Sequence, residues 1–237
     1  GKRMKIRGVL RDALRQKSKQ LLVTYDELLQ ATFLDMFGDP VTNPKGWKKI
    51  NLNKIAKLER GRFSPRPRND PSYFNGPYPF IQTGDISKSG NRLDSYIQTL
   101  NDKGIKVSKQ FEKGTIVIAI VGATIGATAI LELDVYATDS IIGISVNKKL
   151  ANNIFLEFVM QFWKPILLKI APEAARANIN LEILGRLDII VPPITFQDQF
   201  AKVVENIEAQ KTLVKQSFQE SEDLFNGLVQ KAFSGEL

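Results

Sequence analysis

From Pro192 to Leu237 the apolar positions fall into two columns. Phe200, Ile207, Val214, Ser221 and Leu228 lie seven apart, and Val204, Lys211, Phe218, Phe225 and Ala232 repeat the spacing four residues on. Two such columns make one narrow seam on a helix, the pattern of a coiled coil. Pro192-Pro193 stops whatever precedes it, and no Gly or Pro follows until Gly227. A helix from Phe196 to Phe233 is roughly 55 Å long at 1.5 Å per residue. That exceeds what one face of a small core can cover, so the seam predicts a partner helix. Residues 1–37 supply one, with Ile6, Val9, Leu10, Ala13 and Leu14, then Leu21, Leu22, Tyr25, Leu28, Leu29, Phe33 and Met36 at helical spacing. Gly38-Asp39-Pro40 ends it. Residues 25–39 also align weakly with 221–236: Glu27-Leu28-Leu29-Gln30 falls over Asp223-Leu224-Phe225-Asn226, and Phe37 over Phe233. Either two similar helices bracket one domain, or two amphipathic helix ends coincide.

Between the helices the pattern shortens to strands and turns. Ile50–Ile55 reads as a short element. Residues 60–79, RGRFSPRPRNDPSYFNGPYP, hold so much Pro, Gly, Asn and Arg that they read as one long loop without regular structure. Pro79–Thr83 reads as a strand turned by Gly84-Asp85. TIVIAIVGATIGATAIL, residues 115–131, reads as strand, Gly-containing turn, strand. Asp139–Val146 is a buried strand, Asn152–Ile170 a helix, Asn180–Leu184 a short turn or helix, and Leu187–Val191 a strand. The expected fold is a mixed α/β (α+β) domain flanked by two long helices that pair along their seams. The expected boundaries are 1–40, 41–195 and 196–237.

Charge sharpens this picture locally. The chain has 237 residues and a net charge of +8. Residues 1–20 carry eight basic groups against Asp12, so the remainder is nearly neutral. Yet Lys45, Lys48, Lys49, Lys54, Lys57, Arg60, Arg62, Arg66 and Arg68 face only Glu59 among the acids of their stretch. Cys and His are absent, which removes structural zinc sites of the usual kind, thiol nucleophiles, Ser-His triads and disulfides. No apolar run approaches eighteen residues and no signal peptide stands out, so a soluble cytoplasmic protein is expected.

Catalytic motifs are missing. No Gly-rich loop ends in Lys-Ser or Lys-Thr. Gly122-Ala-Thr-Ile-Gly126 lacks the strand–loop–helix context of a cofactor loop and reads as a hairpin turn. No Asn-Pro-Pro-aromatic or Asp-Pro-Pro-aromatic tetrad of an amino-methyltransferase occurs. Asp85, Asp94 and Asp139 are scattered and read as turn formers. Residue types suited to nucleic acid are present on loops. Arg60, Arg62, Arg66, Arg68 and Asn69 offer forked or amide donors to phosphates and base edges; Gln82, Thr83, Lys88 and Lys106 follow, then Arg176, Asn178 and Asn180. The bland reading of each alone is a solvated loop.

Taken in order, a set of short motifs resembles the specificity subunits of type I restriction–modification systems, in a form with one target recognition domain. They are Leu34-Asp35-Met36-Phe37-Gly38-Asp39, Gly46-Trp47, Pro79-Phe80-Ile81 with Gly84-Asp85-Ile86, and Lys113-Gly114-Thr115-Ile116-Val117. Gly122–Gly126, Asn178-Ile179-Asn180, Pro192-Pro193-Ile194 with Gln197-Asp198-Gln199, and the closing Leu228–Leu237 complete them. The resemblance implies a non-catalytic DNA-reading subunit that docks methyltransferase and restriction subunits. S-adenosylmethionine, ATP and Mg would belong to those partners and no cofactor to this chain. It also implies that one such domain reads half of a split double-stranded DNA target, and that the two long helices pack as an antiparallel coiled coil that sets the gap between halves. Family subunits carry two such domains; this sequence carries one. A half-length subunit that forms a homodimer through the long helices, reading a palindrome, and a fragment of a longer subunit both fit. Arg62, Arg66, Arg68, Gln82 and Asn178 are the expected base readers. Two rivals stay open: the recognition module of a fused restriction–methylation enzyme, and a coiled-coil protein-interaction scaffold.

Overall fold

Heptad spacing and unbroken helix-forming sequence put both ends of the chain into long helices, and short β-branched runs between turns build the sheets. A computed structural model describes residues 2–170 and 179–234. In chain order the elements are α1 (Lys2–Phe37), β1 (Lys49–Asn51), α2 (Leu52–Ile55), β2 (Ala56–Arg60), β3 (Phe74–Ile81), α3 (Thr83–Lys88), β4 (Arg92–Leu93), β5 (Gln98–Leu100) and α4 (Asp102–Lys106). Then follow β6 (Lys109–Phe111), β7 (Ile116–Ala119), β8 (Thr128–Leu131), β9 (Val135–Ala137), β10 (Ile141–Val146), α5 (Asn153–Ile170), α6 (Leu181–Gly185), β11 (Asp188–Ile190) and α7 (Ile194–Ser234). They form two units, one of Gly1–Met36 with Gln199–Leu237, the other Phe37–Asp198.

The first unit is a helix pair. Phe33 meets Phe200 edge to face at 5.3 Å, Asp26 meets Lys211 at 2.8 Å, and Arg11 lies 5.1 Å over the Phe225 ring. Partners fall along α1 as they rise along α7, so the helices run antiparallel. Phe200, Val204 and Ile207 are buried; Val214, Phe218, Phe225 and Leu228 are half-buried. On α1, Ser18, Tyr25 and Thr32 form one column and Leu22, Leu29 and Met36 the other. Lys211 occupies a seam position and is held between Asp26 and Glu208, each at 2.8 Å. Burial pulls the Lys211 pKa down most strongly, but the two carboxylates outweigh it and the ammonium ends above its ordinary range.

The second unit is built on two sheets, ordered β2-β10-β7-β8-β4 and β5-β3-β9-β6, with a small β1-β11 pair beside them. Ile81, Ile86, Leu93, Phe111, Val117, Ala119, Leu131 and Val135 fill one core cluster, drawn from both large sheets and α3. All four residues of β7 and of β8 are buried, as expected of strands covered on both faces. A second cluster, Phe63, Phe80 and Leu100 with Tyr73, Phe74 and Tyr78 against it, anchors the Arg-rich segment on the smaller sheet.

Two sequence expectations need correction. Residues 60–79 are not all loop, because β3 begins at Phe74 and contains Pro77 and Pro79. The β3–β5 register slips between Phe74 and Tyr78, which both face Leu100, so Pro77 sits in an irregularity where its missing N–H breaks no regular ladder. Gly84-Asp85 does not turn a strand but lies in the first turn of α3, where Asp85 Oδ2 accepts a 2.7 Å bond from the Gln82 backbone N–H. The 115–131 stretch does form strand, turn, strand, with Gly122 and Gly126 at φ of 65° and 78° where a side chain would be strained.

Candidate nucleic-acid interface

Strand register brings distant loops to one rim of the second unit. In the larger sheet β2 ends at Arg60 opposite Ile142, β7 ends at Ala119 opposite Ile141, and β8 begins at Thr128 opposite Ile118. In the other, β3 ends at Ile81 opposite Ala137, β6 begins at Lys109 opposite the same residue, and β5 begins at Gln98 opposite Phe80. The 138–140 turn joins β9 to β10 and so belongs to both sheets. The rim therefore gathers the segments 61–68, 107–108, 120–127 and 138–140, with Gln82 and Gln98 beside them. Ile179 joins through its N–H to Ile120 O at 3.2 Å.

The Arg-rich segment is fixed to this rim. Gly61 N–H donates to Ile141 O at 2.8 Å and Arg62 N–H to Ala137 O at 3.0 Å. A Cβ at Gly61 would lie 2.0 Å from Thr138 O, so only glycine allows this close approach. Phe63 is 2% exposed and stacks with Phe80, Phe74 and Tyr73 at 5.0, 5.6 and 6.2 Å. A buried ring between exposed arginines thus sets where their guanidinium groups begin.

Each of the four arginines between 60 and 68 has a partner within the protein. Arg60 Nε donates to the Asp139 backbone carbonyl at 2.6 Å, and Arg62 Nη2 to Ser108 O at 3.1 Å. Arg66 Nη1 reaches the carbonyls of Phe63, Ser64 and Pro65 at 3.3, 3.3 and 2.8 Å. Arg68 grips the Asp139 carboxylate twice: Nη2 donates to Oδ2 at 2.9 Å, and Nη1 lies 2.8 Å from Oδ1. The second approach is an ion-pair contact without hydrogen-bond alignment, and the Oδ1 atom is itself shielded from water. Arg66 and Arg68 keep 58% and 46% of their side chains exposed, so both still face solvent.

The other predicted residues divide by position. Asn69 is exposed on the same segment. Gln82 lies at the end of β3 and hydrogen-bonds its amide to Gln98. Thr83 and Lys88 begin and end α3, and Lys106 ends α4; both lysines are exposed. Asn180 caps α6, its Oδ1 accepting from Ile183 N–H at 2.8 Å. Arg176 and Asn178 lie outside the described residues. The sequence reading missed three rim residues. Gln98 opens β5, a strand too short to show periodicity. Lys164 reads as an outward position of a packing helix but lies against Gly126 at the rim. Asp139 reads as a turn former, and its link to Arg68 spans 71 residues of sequence.

Electrostatics tie the two sheets together close by. Glu59 on β2 accepts from Lys109 on β6 at 2.9 Å and pairs with Lys57 at 3.0 Å. Hydrogen bonds from Lys109 and then Lys57 hold its carboxyl below the ordinary carboxylate range. Among the described residues no three His, Cys, Asp or Glu side chains gather where they could hold a metal ion, and no helix is long and apolar enough to cross a membrane.

Known proteins match this arrangement. The family described as type I restriction modification DNA specificity domain matches residues 44–222. A structure reported for complex assembly and conformational transition of the type I R-M system aligns with a TM-score of 0.65 and 18% identity over 100% of this chain and 59% of that one. The HsdS subunit from Thermoanaerobacter tengcongensis aligns at 0.60 and 19% over 99% of this chain and 56% of its own length. The type I restriction–modification S subunit from M. genitalium aligns at 0.56 and 14%, covering 96% and 57%. The chain thus spans a little under three fifths of each of these structures, and at such identity they establish a shared fold: a mixed α/β domain with long helices at both ends. With the family match covering most of the sequence, the chain belongs to the type I restriction modification DNA specificity domain family.

Proposed function

We propose that the rim of the second unit reads one half of a bipartite target in double-stranded DNA on behalf of a type I restriction–modification complex. The observation that carries this reading is the convergence of Arg60, Arg62, Arg66 and Arg68 with Gln82 and Gln98 at one end of both sheets. Guanidinium forks suit phosphate oxygens and guanine edges, and amide side chains suit adenine edges in the major groove. Arg60 and Arg62, each bonded to a backbone carbonyl of a neighbouring segment, set register against phosphates. Arg66, Arg68 and the glutamines meet bases.

Methyltransferase and restriction subunits dock on this chain and carry the chemistry, together with S-adenosylmethionine, ATP and Mg; this chain needs no cofactor of its own. The helix pair supports a further partner. Leu14, Leu21 and Leu28 lie seven apart on α1 and are 51%, 39% and 48% exposed, a second apolar stripe beside the one the pair already buries. A second copy joined there would present two reading rims with two-fold symmetry and so read a palindrome with a spacer. The work is done on host DNA, in the cytoplasm.

The test is to express the chain with its methyltransferase subunit and map modified adenines on host DNA. A bipartite motif that disappears when this chain is omitted is the expected result. Methylation of the same motif without the chain would overturn the reading and leave a scaffold role. A palindromic motif supports the two-copy arrangement; an asymmetric one requires a different second reader.

A further inference from the structure

We infer that Asp139 is a positioning residue that restrains the arginines of the reading rim and exchanges general DNA affinity for sequence discrimination. The inference rests on the reading of the rim proposed above. Three guanidinium groups surround this one residue. Arg68 holds the carboxylate by both oxygens, Arg66 Nη2 lies 3.9 Å from Oδ2, and Arg60 Nε bonds the backbone carbonyl at 2.6 Å. The turn that bears Asp139 is itself immobilised. Ile141 N–H donates to Thr138 O, Ile120 N–H to Ser140 O, and Gly61 packs onto Thr138 too closely for any side chain. The carboxylate is therefore a fixed point rather than a mobile counter-charge.

The physical consequence follows from what a free arginine does. An unrestrained guanidinium on a loop follows any phosphate, and each such contact adds affinity with no sequence information. A guanidinium hydrogen-bonded and ion-paired to a fixed carboxylate has one favoured direction and pays to leave it. The same carboxylate repels a phosphate that approaches in the wrong register. Random DNA must break the Arg68 pair and suffer the repulsion, whereas a matched site offers base and phosphate acceptors that compensate. Discrimination of this kind comes from penalising the wrong partner. Because the pair is partly exposed, its loss costs the fold little.

The experiment measures binding of the full chain to its mapped site and to random duplex across a range of salt concentrations, for wild type, Asp139→Asn, Arg68→Gln and the double variant. For Asp139→Asn the expected result is several-fold tighter binding to random duplex, with a log–log salt slope steeper by about 1 to 2 as released arginines reach phosphates. The ratio of matched to random affinity falls by about tenfold. Adding Arg68→Gln to Asp139→Asn removes at least half of the added slope, which a merely structural role for Asp139 would not produce. Weaker binding to all DNA with an unchanged slope would overturn the inference and make Asp139 a loop support. A changed preference at a single base pair with an unchanged slope would overturn it too, making Asp139 a direct reader of a base amino group. Both outcomes leave the rim as the DNA-binding surface. Wild-type binding without salt dependence would instead overturn the rim reading and this inference with it.

Discussion

At the scale of single residues, charge and burial act differently on the two sides of the Arg-rich segment. Glu59 links β2 to β6 through Lys109, and its folded pKa is depressed. A depressed carboxyl contributes stability that is present above its unfolded value and lost as pH falls through the folded one. Glu59 is 31% exposed and screened, so the contribution is about 0.5 kcal/mol. Glu59→Gln should lower stability by about that amount near neutral pH. It should also flatten the acid limb of the stability curve below the ordinary carboxylate range, measured by urea unfolding at a series of pH values. Phe63 acts through packing. Phe63→Ala removes a fully buried ring and should cost about 3–5 kcal/mol in the same assay. A cost under about 1 kcal/mol would mean that the segment is held by its backbone bonds alone.

At the scale of elements, the contact between the 60–62 backbone and the 137–141 turn governs the rim. Gly61→Ala places a methyl carbon against a backbone carbonyl that cannot swing aside. We expect a loss of about 1–3 kcal/mol, the range of overpacked cores. DNA discrimination should fall with it, since Arg60 and Arg62 flank the displaced residue. Wild-type thermal stability in this variant would show that the close approach is relieved by the loop rather than resisted. The long helices obey a different rule. Their seam is tightest at Phe33 and Phe200 and loosens toward Leu228, which is only half-buried. Lys211 within the seam is satisfied by two carboxylates, a polar device that selects one register at some cost in stability.

At the scale of the whole molecule, the repeated leucines of α1 bear on assembly. If Leu14, Leu21 and Leu28 face a second copy, sedimentation equilibrium should give twice the chain mass. Leu21→Lys should then shift the population toward monomer while leaving the fold intact by circular dichroism. A monomer at all accessible concentrations would assign the stripe to a different partner.

The chain sequence by itself determined both long helices, the hairpin at 115–131 and the class of the central domain. Those features depend on spacing within one element or one turn, where 3.6-residue and two-residue periods and Gly or Pro punctuation act locally. The density of Pro, Gly and Asn around Arg62, Arg66 and Arg68 likewise sufficed to put those arginines on a loop. It did not show β3 starting inside that loop, because a register slip lets Pro77 sit where composition alone forbids a strand. Nor did periodicity show the two- and three-residue strands, which are too short to carry a period. Only the tertiary structure decided that Arg60, Arg66 and Arg68 converge on Asp139, and that Gln82 meets Gln98. Those meetings depend on strand register between segments far apart in sequence, and register is settled by packing of the buried faces rather than by the exposed side chains themselves.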